Sequence, residues 1–144
     1  MEDNKYYAPI IIVLIICFFL IILGSRFTIE SEAREMDDYI IAQIVMAEAG
    51  NQPMIGKVAV AATVLNRCDY YGLSVYDVAE AYSYPYLGKI DESAYRAAEI
   101  ARENRDLFPA TMMYFRTENY HGFGEPYMQI GDHYFSYLGE DDND

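Results

Sequence analysis

Glu48 is the residue whose type and position most suggest chemistry. It lies in YIIAQIVMAEA (39–49), a segment whose pattern predicts a helix, and shares one face with Ile41 and Ile44 at i, i+3 and i+7. A carboxyl on an apolar stripe faces a core or a cleft rather than bulk water. Desolvation there raises its pKa and favours the protonated form near neutral pH. A general acid needs that state, as in glycoside cleavage. The alternative is a last-turn residue that reaches solvent or pairs with an arginine.

Other candidates are spread along the chain. Tyr82, Tyr84 and Tyr86 surround Ser83 and Pro85 and offer ring faces for stacking, with no Trp present. Tyr114 and Arg116 alternate with Phe115 in MMYFRT, so one face of a strand could line a cleft while Phe115 enters the core. His121 lies in the Gly- and Pro-containing stretch HGFGEP, which reads as a loop that could overhang a groove. His133 either holds a hairpin in place or touches substrate. His121, Asp132 and His133 are a weak metal signal, since they lack a helical H-x-x-x-H and a third well-spaced ligand. No cofactor motif is present: there is no G-x-S-x-G elbow, Walker loop or dinucleotide fingerprint. Cys68 follows Asn66-Arg67 with no evident histidine base, so it reads as a packed thiol.

The elements that must position these residues follow from the pattern. Gly50 and Pro53 end the Glu48 helix. MIGKVAVAATVLNR (54–67) forms the next helix, with Val58, Ala61, Ala62 and Leu65 as its stripe. Its alanines allow a neighbouring helix to approach closely. Ser74 with Asp77 resembles a capping box before VAEAY. Asp91 or Ser93 caps a helix over 94–105, which Phe108 and Pro109 end. MMYFRT (112–117) and HYFSY (133–137) read as strands. Helices followed by a β-hairpin give an α+β class.

The N-terminus is different in kind. Residues 8–24, APIIIVLIICFFLIILG, carry no charge. As a helix they span roughly 25 Å, near the lower limit for a bilayer. Tyr6 and Tyr7 sit where an aromatic belt would lie. A cleaved signal peptide is the rival, but the apolar run is long and no small-x-small site follows cleanly. The expected order is a short tail (1–7), a membrane anchor (8–24), a charged linker (25–37), a folded domain (38–137) and an acidic tail (138–144). Lys5 and the terminal amine nearly balance Arg26 and Arg34, so flanking charge does not fix the orientation. Cys17 lies in the span and Cys68 in the domain, so they do not pair. The net charge of −13 argues against nucleic acid as a partner.

MAEAGNQPMIGKVAVAATVLNR resembles the opening motif of the spore-cortex-lytic enzyme (SleB-type) cell-wall hydrolase family. Ala47-Glu48-Ala49, Gly56 to Ala62, and Val64-Leu65-Asn66-Arg67 match it. Tyr114-Phe115 and Ile130-Gly131-Asp132-His133-Tyr134-Phe135 look like two later family segments, in the expected order. The resemblance implies a lysozyme-like domain that cleaves the MurNAc–GlcNAc β-1,4 bond of peptidoglycan, often as a lytic transglycosylase. It makes Glu48 the single catalytic acid. It makes Tyr84, Tyr114, Arg116, His121 and His133 candidates for binding the glycan strand. It places the domain outside the cell membrane, tethered to lipid by the N-terminal helix, with either spore cortex or vegetative wall as target. The sequence departs from the pattern at Gln52, where the family commonly has a second glutamate. That departure leaves a non-catalytic glycan-binding or scaffold protein as the alternative.

Overall fold

A computed structural model describes residues 7–84 and 89–139, with side chains from residue 10 onward. Pro85 and Tyr86 therefore lie outside the described residues. The chain divides into two compact units, Met1–Met36 and Asp37–Asp144. Helix α1 (Tyr7–Ala49) supplies the described part of the first unit and its last turns belong to the second.

In the first unit the apolar residues from Ile10 to Leu23 are mostly well exposed. The helix they form is long and apolar enough to cross a membrane. Residues 25–37, expected as a linker, are helical. They contain no Pro, and Ser25, Thr28 and Ser31 turn their hydroxyls onto the carbonyls of Ile22, Gly24 and Thr28 one turn back.

In the second unit the C-terminal part of α1 is followed by α2 (Met54–Tyr71), α3 (Val75–Ala81) and α4 (Glu92–Glu103). Gly72 ends α2 in the left-handed conformation, φ 65°, where glycine carries no Cβ penalty. Ser74 and Asp77 form the expected capping box on α3. Asp91, rather than Ser93, caps α4 through the Ala94 amide. Helices α2 and α4 pack on each other and both bury alanines: Ala59 and Ala61 on α2, Ala94, Ala97 and Ala98 on α4, all at 0% exposure. Small side chains let the two axes approach closely. Lys57, buried on α2, reaches across to Ser93 Oγ at 2.5 Å and ties the start of α4 to this layer.

The sheet has three strands rather than the two read from the sequence. They are β1 (Met112–Thr117), β2 (Glu125–Ile130) and β3 (His133–Tyr137), all antiparallel, in the order β1-β3-β2. The sequence hides β2 because Pro126 and the preceding glycines signal a loop. Pro126 is tolerated because β2 is an edge strand with a register shift between Pro126 and Met128. The buried core joins Ile41, Ile44 and Val45 of α1 to Val58, Val60 and Val64 of α2 and to Met112 and Phe135 of the sheet. Glu48 leaves this core from the last turn of α1.

Candidate functional site

Glu48 is half-buried, one turn beyond Ile44, which is 1% exposed. The stripe therefore ends in a carboxyl at the edge of the core. Burial raises its pKa above the ordinary 4.5, and the nearby Arg67 opposes the rise without cancelling it.

Arg67 is the functional neighbour that the sequence reading did not assign. It is 4% exposed, so its charge must be satisfied within the protein. Its Nε donates to the Met113 carbonyl at 2.8 Å and its Nη1 to the Tyr84 hydroxyl at 2.6 Å. Its guanidinium carbon lies 3.7 Å over the Tyr82 ring. The signal was present in the spacing: Val60, Val64 and Arg67 fall at i, i+4 and i+7 on a second buried face of α2. An arginine there needs partners, as a carboxyl does.

Tyr84, a candidate for stacking on substrate, lies in this group. Its hydroxyl bonds Arg67, it lies within electrostatic reach of Glu48, and its ring stacks on Tyr82 at 6.2 Å. Tyr71, also unassigned by the sequence, hydrogen-bonds Tyr82 and lies near Tyr114. Tyr114 carries the aromatic series outward. Phe123 stands edge-on to it at 5.0 Å and stacks on His121 at 4.5 Å. His121 Nε2 contacts the Phe115 carbonyl at 3.2 Å, which ties the loop back to β1. Phe123 is 51% exposed and offers a ring face to solvent. Arg116 is exposed near the end of β1, opposite Tyr134 of β3, and is not drawn into the Glu48–Arg67 group.

His133 is placed differently from the surface candidates. It is 2% exposed and its ring hydrogen-bonds the backbone carbonyl of Glu48. That carbonyl is among the last of α1 and has no partner within the helix. Phe115 packs edge-on against the imidazole at 5.6 Å. Burial lowers the His133 pKa below 6.5, with Asp132 opposing, so the ring is neutral at neutral pH. The contact thus supports the backbone of Glu48 from beneath.

Gln52 occupies the turn between α1 and α2. Its amide nitrogen donates to Asp132 Oδ2 at 2.9 Å, and its amide oxygen accepts from the Asp132 backbone N–H at 2.9 Å. Cys68 is a packed thiol: burial, with Asp69 and Asp37 nearby, pushes it up to about 11, away from the thiolate.

No family model matches the sequence, and no curated protein does. Solved structures do match. The catalytic domain of the germination-specific lytic transglycosylase SleB from Bacillus anthracis aligns over 69% of this chain and 93% of its own length, with 26% identity and a TM-score of 0.57. The catalytic domain of the Bacillus cereus SleB protein aligns over 69% and 88%, with 24% identity and a TM-score of 0.53, a likeness of fold. The two ordered motifs that carry the sequence resemblance are the segments that place Glu48, Arg67 and His133 together. The folded part of this chain is similar in structure to the SleB catalytic domain, as its two ordered motifs lead one to expect.

Proposed function

We propose that the protein cleaves the MurNAc–GlcNAc β-1,4 bond of peptidoglycan by a lytic transglycosylase route, with Glu48 as both acid and base. One observation carries this reading: a half-buried carboxyl whose pKa is raised by desolvation, beside a buried guanidinium that favours its ionised form. A single group that gives up a proton and then takes one back needs both influences.

Glu48 passes its proton to the glycosidic oxygen as the muramic C1–O bond breaks, and the 4-hydroxyl end of N-acetylglucosamine leaves. The carboxylate, with Arg67 nearby, then removes the proton from the muramic 6-hydroxyl as O6 bonds to C1. The product is a 1,6-anhydro end, Glu48 regains its proton and no water is consumed. Tyr84 lies within electrostatic reach of the reacting group and stacks on Tyr82, while Tyr114, His121 and Phe123 give sugar rings an aromatic surface further out. The apolar N-terminal helix anchors the enzyme in the cell membrane, and the substrate requires the domain to face the wall.

The test is Glu48→Gln assayed on purified sacculi. Turnover falls by roughly 10²- to 10⁴-fold, the usual share of general acid–base catalysis, while the circular dichroism spectrum is unchanged. Mass spectrometry of the wild-type digest shows anhydro ends. Undiminished release by the variant removes Glu48 from this role, and reducing ends in their place mean hydrolysis.

A further inference from the structure

We infer that Gln52 is a positioning residue for the reaction, acting through Asp132 and His133 on the backbone of Glu48; this rests on the role proposed for Glu48. Four links close a ring. The Gln52 backbone N–H donates to the Ala49 carbonyl at 2.9 Å, fixing the turn after α1. The Gln52 side chain holds both the carboxylate and the backbone N–H of Asp132, 80 residues away in sequence. Asp132 immediately precedes His133, the first residue of β3. The His133 ring returns to the Glu48 carbonyl.

The arrangement is built for an uncharged amide. Asn51 Oδ1 also accepts from Gln52 Nε2, at 3.0 Å. A nitrogen that meets two oxygen acceptors, one of them a carboxylate, cannot be replaced by a carboxylate oxygen without repulsion. Gly131 completes the fit: its φ is +58°, and a Cβ there would lie 2.1 Å from Gln52 Oε1. The side chain at 52 thus sets where the β2–β3 turn sits, and the turn sets where His133 meets α1. A shift of the turn moves the peptide that carries Glu48, and misplacement by about 1 Å costs as much as 10²-fold in rate.

The experiment uses the full chain in detergent micelles, with kcat and KM measured on purified sacculi and the two histidine rings followed by 15N NMR. Gln52→Glu places two carboxylates face to face. Its kcat falls by roughly tenfold to a hundredfold, with KM changed less than about twofold, and the His133 signal moves. Gln52→Glu combined with Asp132→Asn restores one donor amide between the two side chains. It returns kcat to within about threefold of wild type, as expected for coupled partners, and restores the His133 signal. Asp132→Ala lowers kcat in the same way without adding charge, and serves where Gln52→Glu does not fold. The inference is overturned by single variants with wild-type kcat and an unmoved His133 signal, or by a folded double variant as slow as Gln52→Glu. Should the wild type itself release nothing, the Glu48 reading fails instead. The NMR signal alone then decides the clamp: lost in the single variants and regained in the double, or not.

Discussion

The guanidinium carbon of Arg67 lies 3.7 Å above the Tyr82 ring, while two of its nitrogens are held by the Met113 carbonyl and the Tyr84 hydroxyl. A cation held from three sides cannot swing into an ion pair at will. It acts on Glu48 as a fixed charge, which is how a protein tunes a carboxyl without immobilising it. Removing the charge lets burial act unopposed. Arg67→Gln therefore raises the Glu48 pKa further, and the alkaline limb of the pH–activity profile moves to higher pH. The maximum rate falls, because the ionised form needed for the second proton transfer loses its stabilisation. Arg67→Lys keeps the charge but not the forked geometry, so its limb moves less. Profiles of kcat/KM on purified sacculi check this; a limb that stays in place for Arg67→Gln removes Arg67 from the tuning of Glu48.

Glu48 also leaves a mark on stability. Its folded pKa is raised above the unfolded 4.5, so the folded state holds the proton more tightly. The associated stability is present below 4.5 and is lost as pH rises through the folded pKa. Glu48→Gln keeps the shape and removes the charge. Its Tm matches or exceeds that of wild type at neutral pH, and the advantage shrinks below 4.5. Thermal melts across that window read it directly, and a variant less stable at pH 7 than at pH 4, relative to wild type, contradicts the assignment.

His133 gives the opposite slope. Its folded pKa is depressed below 6.5 by burial, so the unfolded chain takes up the proton first. Stability is then complete above 6.5 and falls as pH drops through the window below it. Nδ1 is buried without a hydrogen-bond partner among the described residues, so a second ring proton would meet no acceptor. His133→Gln offers an amide donor to the Glu48 carbonyl and does not titrate. Its Tm changes less between pH 7 and pH 5.5 than that of wild type. Equal slopes would show that another group governs the acid side.

Gly131, in the β2–β3 turn, and Gly122, in the loop before β2, offer a direct contrast. At Gly131 an added methyl meets Gln52 Oε1 at 2.1 Å and the backbone sits at φ +58°; at Gly122 nothing lies within 4 Å. Gly131→Ala costs about 2 kcal/mol or more, from left-handed strain together with the loss of buried hydrogen bonds. Gly122→Ala stays within about 0.5 kcal/mol of wild type. Urea titrations of the two variants separate them, and equal midpoints would show that the turn yields to the methyl.

Much of this site was legible in the sequence where periodicity and burial coincide. Glu48 stood out because an acid on the Ile41–Ile44 stripe conflicts with its neighbours. Arg67 carries the same conflict on α2, where the surrounding apolar and small residues mask it in the sequence. The Ser74 cap was read correctly because its partner is three residues away. Strand β2 was not, because edge position and a bulge excuse a Pro126 that local signals treat as a breaker. The Gln52–Asp132 contact spans 80 residues, and no local pattern encodes it. Gln52 therefore read as a missing charge, when its amide is bound on both sides.

The division between Met36 and Asp37 yields the last prediction. Residues Ile10 to Leu23 are not part of the domain core, and that core is completed by Ile41, Ala42, Ile44 and Val45 from the later turns of α1. Removing residues 1–36 thus takes away apolar surface but, among the described residues, no core side chain. The shortened chain should fold, with stability within about 0.5 kcal/mol of the full chain, and should leave the membrane fraction. On isolated sacculi its turnover should match that of the full chain in detergent, since Glu48, Arg67, Gln52 and His133 are all retained. On the proposed anchoring, the outcome reverses in cells, because the shortened domain is no longer held beside the wall. Protease added to intact cells should cut the full chain's domain, because a domain facing the cytoplasm could not reach its substrate. Protection from the protease would overturn the outward orientation, and an unfolded 37–144 fragment would show that the first unit supports the second.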